Sequence, residues 1–229
     1  MRIAALLCMT TLACSGPTGG VEQCQFFAPE EGKVVVRTLN CDAERIENGD
    51  GIVGDFYVAN SKYRAVLRQP VGSLTVAGLM GVTLIDFAPW GQPDLLHEIV
   101  PLTDNSWLDV EDVDITENSI VVTGKRRAWP DQVLENETLG EVTWTFPPDS
   151  RDILISGNDD LWIHSRGETA WTGVSFISEN TSLSTDSTEF VDSGGAIRFK
   201  DAHTLTIRNN WNPFTDEDSK TSGTAKGAS

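Results

Sequence analysis

The sequence predicts an all-β domain, an antiparallel two-sheet β-sandwich that can extend to a supersandwich. Three observations predict it. No stretch keeps apolar residues at i, i+3, i+4 and i+7 over three turns. Short runs of β-branched and aromatic residues recur instead, and Gly, Pro, Asn and Asp separate them. The chain has 229 residues, 39% of them apolar, which suffices for one sizeable core but not for two ordinary domains.

The strands follow in order. Lys33 to Leu39 (KVVVRTL) is the first apolar run. Asp55 to Ala59 and Tyr63 to Arg68 flank the turn Asn60-Ser61-Lys62 and read as a hairpin. Val82 to Phe87 (VTLIDF) follows Gly81, and Leu95 to Leu102 alternates around His97 and Glu98. Asp114 to Gly124 carries a turn at Glu117-Asn118 and then a strand. Gly140 to Phe146 puts Val142, Trp144 and Phe146 on one face, because side chains alternate along a strand. Pro147-Pro148-Asp149-Ser150 is a turn, after which Asp152 to Ser156 returns. Further strands are expected at 161–164, 172–178, 188–191, 196–200 and 204–208. The polar tail 215–229 has nothing to bury and is expected to be disordered.

The N-terminus carries an export signal. Met1-Arg2 is positive, Ile3 to Leu12 is apolar but too short to span a bilayer, and small Ala13 precedes Cys14. Thr11-Leu12-Ala13-Cys14 resembles a bacterial lipobox, with Thr11 where that motif usually has Leu. The resemblance implies removal of residues 1–13, lipidation of Cys14 and a flexible tether over 14–23 that precedes a domain at 24–214. Ser15 after the Cys implies the outer membrane in a Gram-negative host. Cys8 lies in the discarded segment, so Cys24 and Cys41 remain as an even pair in an oxidising compartment. A bridge between them closes a loop of moderate length, worth about 3 kcal/mol. It has neither the spacing nor the neighbouring His of a redox or metal motif.

The formal charge is −17, and loss of Arg2 with the signal makes it −18. No basic stripe offsets this, so nucleic acid is excluded as a partner. The charge favours cations and disfavours anionic lipid.

Gly54-Asp55-Phe56-Tyr57-Val58-Ala59-Asn60-Ser61-Lys62-Tyr63-Arg64-Ala65-Val66, then Gly81-Val82-Thr83-Leu84-Ile85-Asp86, then His97-Glu98-Ile99-Val100-Pro101-Leu102 form one pattern. It resembles the N-terminal β-rich module of large envelope lipoproteins of myxobacteria and their relatives, and none of it is catalytic. Val121-Val122-Thr123-Gly124, Val142 to Ser150 and Ile153-Leu154-Ile155 resemble, more remotely, the core of galactose-mutarotase-like sandwiches, which bind or process sugars. That chemistry uses two His and a Glu. His97 and His164 have about the right separation, but their contexts differ and no position answers to the Glu, so mutarotase activity is not expected.

Asp109, Glu111, Asp112 and Asp114 place hard oxygen ligands close together and form a candidate Ca²⁺ site, with a solvated turn as the simpler reading. The three histidines, His97, His164 and His203, lack metal-ligand spacing, and no catalytic motif is present. Trp144, Trp162 and Trp171 lie on or beside apolar strands and read as core, whereas Trp90, Trp107, Trp129 and Trp211 lie in turn-rich contexts. A loop Trp beside polar groups can stack on a sugar or a partner, so Trp90 with Asp94, and Trp129 with Arg126 and Arg127, are the candidate contact residues. Two readings follow. One is a lipid-anchored, non-catalytic envelope module that binds a protein or glycan. The other is a carbohydrate-active enzyme using two carboxylates in a cleft. No organic cofactor is expected.

Overall fold

The computed structural model describes residues 24–70, 82–94, 96, 98–103, 106–128, 138–158, 161–166, 174–178, 188–191, 194–198 and 204–209. Residues 1–13, expected to be an export signal, the expected tether 14–23 with Cys14, and the tail 215–229 lie outside the described residues. Among the described residues the chain is all-β, with one 3-10 turn at Asp42–Glu44.

The strands are β1 (Val35–Thr38), β2 (Phe56–Ala59), β3 (Tyr63–Leu67), β4 (Leu84–Pro89), β5 (Ile99–Thr103), β6 (Ser106–Ile115) and β7 (Ser119–Ala128). They continue with β8 (Leu139–Thr145), β9 (Asp152–Gly157), β10 (Leu161–Arg166), β11 (Val174–Ser178), β12 (Thr188–Val191), β13 (Gly194–Arg198) and β14 (Thr204–Asn209). Pairing is antiparallel throughout and runs β1 to β9 in sequence order, then to β14 and β11. The ladder does not close on itself among the described residues.

Strand β5 is the branch point. Ile99 pairs with Leu84 of β4, and Thr103 pairs with Ser106 of β6. Across its other edge, five residues of β5 pair with β10, which carries β13 and then β12. Such a strand must be apolar on both sides, and β5 is buried along its whole length.

The main core gathers side chains from nearly every strand. Tyr63, Leu67, Phe87, Ile99, Ile120, Trp144, Phe146, Ile153 and Ile207 all belong to it. Tyr63 meets Phe87 edge-on at 4.9 Å, the arrangement that aromatic quadrupoles favour. Val142, Trp144 and Phe146 are buried together, as the alternation in β8 predicts. Trp107 is a correction: it lies on β6 and is buried, not in an exposed loop.

A second apolar cluster covers the opposite face of β1–β4. Tyr57, Ala59, Val66, Ile85 and Ala88 point there and meet Leu39 and Ile46 from the connection between β1 and β2. A bulge makes this possible. Val66 pairs with Asp86 but Leu67 pairs with Leu84, so Ile85 is the extra residue and both Ile85 and Asp86 turn to the covered side.

A second bulge corrects the reading of the acidic run. Asp109, Glu111, Asp112 and Asp114 belong to strand β6, not to a turn. Val110 pairs with Gly124 and Asp112 with Thr123, so Glu111 is extra and both Val110 and Val113 pack on the core. Glu111, Asp112 and Asp114 are exposed, and Glu111 faces Lys125 at 3.6 Å. Among the described residues, these four carboxylates do not converge into a metal-sized cluster, because an extended strand spreads its side chains.

Opposite this bulge the strands approach closely. A Cβ on Gly124 would lie 2.2 Å from the Asp109 carbonyl oxygen, so only glycine fits. Gly124→Ala is expected to cost about 1–3 kcal/mol, the usual penalty for overpacking. A urea unfolding curve would show it as a lower midpoint, and an unchanged midpoint would contradict the close approach.

Candidate functional site

Most buried charged groups of the described residues, Glu44, Asp55, Arg68, Asp86 and Asp94, lie along the cover of β1–β4, so the site is built from there. Segment 39–55 has to lie over an apolar sheet, and its backbone polar groups need partners in a place water does not reach. Three aspartates supply partners, two through their carboxylates and one through its backbone N–H.

Asp86, fully buried on β4, accepts the backbone N–H groups of Asp50 at 2.8 Å and Gly51 at 3.0 Å. The approach needs glycine: a Cβ on Gly49 or Gly51 would come within 2.6 and 2.7 Å of the Asp86 carboxylate. Asp55 is also fully buried and accepts from Ile52 N–H, Gln69 N–H and the Arg68 guanidinium, the last at 3.0 Å. Arg68 in turn donates to the Asp50 carbonyl at 3.1 Å. Leu39 N–H donates to the Asp55 carbonyl, and Gly54 N–H to the Leu39 carbonyl, closing the segment on itself.

Asp94 is the third. It was expected beside Trp90 on an exposed surface; it is 5% exposed instead. Its carboxylate accepts Phe87 N–H at 2.8 Å, and its own N–H donates to the Glu47 carbonyl at 2.7 Å. Asp94 therefore pins the connection after β4 to the cover, and the structure takes it off the candidate contact surface.

Trp90 is half-buried and packs against the second cluster. Its indole N–H donates to the Asn60 carbonyl at 2.8 Å, and the Arg64 guanidinium lies 5.2 Å from the ring centre. These contacts commit both the polar edge and a share of the ring to the fold. The residue behind this is Asn60, which sequence reading had treated as an ordinary turn residue. Its side-chain amide donates to the carbonyls of Pro147 and Ser150, both at 2.9 Å, and its side-chain oxygen accepts Lys62 and Tyr63 N–H. Asp149, at a φ of 58°, completes the joint by accepting from Ser61 and Gly32. The β2–β3 turn and the 147–150 turn thus lock together.

At the opposite end of β1–β4, Cys24 and Cys41 form the disulfide expected from the sequence, with Cα atoms 5.8 Å apart. Buried Glu44 lies beside it and accepts from Gln25 N–H and from Arg37, whose guanidinium covers the Tyr57 ring at 5.0 Å. Burial pushes the Tyr57 phenol well above its ordinary range. Among the described residues, Cys24, Cys41 and Glu44 are the three potential metal-ligating groups that lie within 4.8 Å of one another. Both sulfurs are spent in the bond, so the trio is not a metal centre in this state.

The remaining candidates are placed only in part. The backbone of Arg127 pairs with Trp107 at the end of β7, while Trp129 lies outside the described residues. His164 and Trp162 lie on β10, whereas His97, His203, Trp171 and Trp211 lie outside the described residues. No helix among the described residues is long and apolar enough to cross a membrane. In comparisons with protein-family models, curated proteins and solved structures, nothing matches this chain.

The buried carboxylates make stability depend on pH in an unusual direction. Burial, partly offset by the two backbone N–H groups, raises Asp86 from 3.8 to about 6. Burial likewise raises Asp94 to about 7, with the charges of Asp86 and Asp50 adding to it. The folded state therefore holds these protons more tightly than the unfolded chain does. Their contribution is greatest below pH 4 and is lost as pH rises through 6 and 7. Denaturant unfolding should show the domain gaining up to about 4 kcal/mol between pH 7.5 and pH 5 from these two groups. Asp86→Asn should flatten that slope; a slope unchanged in the variant would contradict the assignment.

Proposed function

We propose that this chain is an exported bacterial lipoprotein, held in the envelope through Cys14, whose β domain is a non-catalytic module that binds a partner protein or a glycan. The Cys24–Cys41 disulfide carries the reading: such bonds persist in oxidising compartments, and this one lies ten residues after the proposed lipidation site. A tether that ends at a covalent staple would transmit an anchor to a folded domain without unravelling its first strand.

The proposed architecture is a two-layer sandwich. Strands that do not pair, β4 with β14 and β5 with β8, approach one another, and one apolar core is common to the β1–β4 and β6–β9 stretches. The apolar core shared between the two stretches favours a binder over an enzyme with a cleft. So does the use of the buried acids: Glu44, Asp55, Asp86 and Asp94 are engaged by backbone or Arg partners, and Glu98 accepts the Thr83 hydroxyl at 2.6 Å. General acid–base catalysis needs carboxyl groups free to exchange a proton with a substrate.

Metabolic labelling with a palmitate analogue is expected to tag the protein, and Cys14→Ser to abolish the tag. Label surviving in the variant would refute the anchor. The proposed contact residues are Trp129 and Arg127. On a glycan array or in an envelope pull-down, Trp129→Ala should weaken binding about ten- to hundredfold with the melting temperature unchanged. A lower melting temperature with binding intact would make this ring a packing residue, and turnover of an oligosaccharide would overturn the non-catalytic reading.

A further inference from the structure

We propose that Phe26 and Phe27, flanked by Ile52 and Val53, form a wedge that inserts into a zwitterionic lipid surface beside the anchor. The inference rests on the lipidation of Cys14 and adds an orientation to it.

Phe26 is 58% and Phe27 82% exposed, while Ile52 and Val53 are 45% and 48% exposed. An exposed apolar residue alone is ordinary, but two adjacent Phe with a second apolar pair at the same end are not. The two pairs share an end because of the bonds already described. Cys24, two residues before Phe26, is bonded to Cys41. Leu39, two residues before Cys41, exchanges backbone hydrogen bonds with Gly54 and Asp55, just past Val53. Antiparallel pairing of Thr38 with Phe56 places all of this at one end of β1–β4, and the Asn60 turn at the other.

The occupant follows from the length of chain between the anchor and the wedge. Ten residues, Cys14 to Gln23, separate the lipid from Cys24, and four of them are Gly or Pro. Such a chain reaches about 35 Å at full stretch and averages roughly 17 Å. The end of the domain that carries the two Phe is therefore the end held nearest the bilayer. A leash this short gives an effective concentration of order millimolar, so even weak insertion keeps the wedge seated. The formal charge of −17 over the whole sequence, with exposed Asp42 beside Cys41 at this end, selects against anionic headgroups and for zwitterionic ones. Seating the wedge turns the locked Asn60 and Asp149 turns away from the membrane.

The test uses full-length lipidated protein in phosphatidylcholine vesicles, with a benzophenone-bearing residue at position 27 or, as control, at exposed position 62. Lipid adducts are expected at position 27 at least tenfold above position 62, and reduced several-fold in vesicles rich in phosphatidylglycerol. A position-27 adduct to protein, a second copy included, would overturn the wedge. So would the absence of an adduct in vesicle-bound protein. With the probe at position 53, the double variant Phe26→Ser/Phe27→Ser should lower the lipid adduct several-fold and leave the melting temperature unchanged; an undiminished adduct would overturn the proposal. Palmitate label on the same sample separates the two levels: a labelled protein without adducts defeats the wedge alone, and an unlabelled Cys14 defeats the anchor and the wedge with it.

Discussion

The carboxylate of Asp86 is the interaction on which the rest of β1–β4 depends. It sits on a strand with core on one side and cover on the other, where an anion without partners would be costly. The bulge at Ile85 turns it toward the cover, and the glycines at 49 and 51 let the backbone come close enough to donate. Remove any of the three and the backbone at 50–51 loses its seat on β4. Asp55 with Arg68, and Asp94 with Phe87 and Glu47, then hold its flanks.

The two ends of this covered sheet are built for different purposes. At one end a disulfide joins the start of the domain to the cover, and apolar side chains are left exposed beside it. At the other, Asn60 and Asp149 spend their hydrogen-bonding capacity on joining two turns, which ties β1–β4 to the β8–β9 connection. The proposed module, facing a membrane with one end and a partner with the rest, would need such a rigid body between them. This polarity is the link between the fold and the proposed role.

Much of the fold was legible because period-two alternation writes itself into sequence. Val142, Trp144 and Phe146 announced both a strand and its buried face. The acidic run of β6 was misread for the converse reason: Asp112 and Asp114 face solvent, where a strand tolerates charge, and a bulge broke the alternation that would have revealed Val110 and Val113 as core. Asp94 and Asn60 were not legible, since their partners, Glu47, Phe87, Pro147 and Ser150, are backbone groups that any residue could supply. Asp86 did leave a signal, a single acid inside the apolar run VTLIDF, and a buried acid preceded by a glycine pair at 49 and 51 is how it could have been found. The Cys24–Cys41 pair was legible by elimination, once Cys8 and Cys14 were read as parts of an expected export signal.

The central claim, an exported chain anchored at its first mature residue and stapled just behind it, is tested most directly by the intact mass and N-terminal fragments of the protein purified from the envelope. The account predicts a chain beginning at Cys14, heavier by its acyl groups, and lighter by two hydrogens for the Cys24–Cys41 bond. A chain with an unmodified first residue, or with both thiols free, would contradict it.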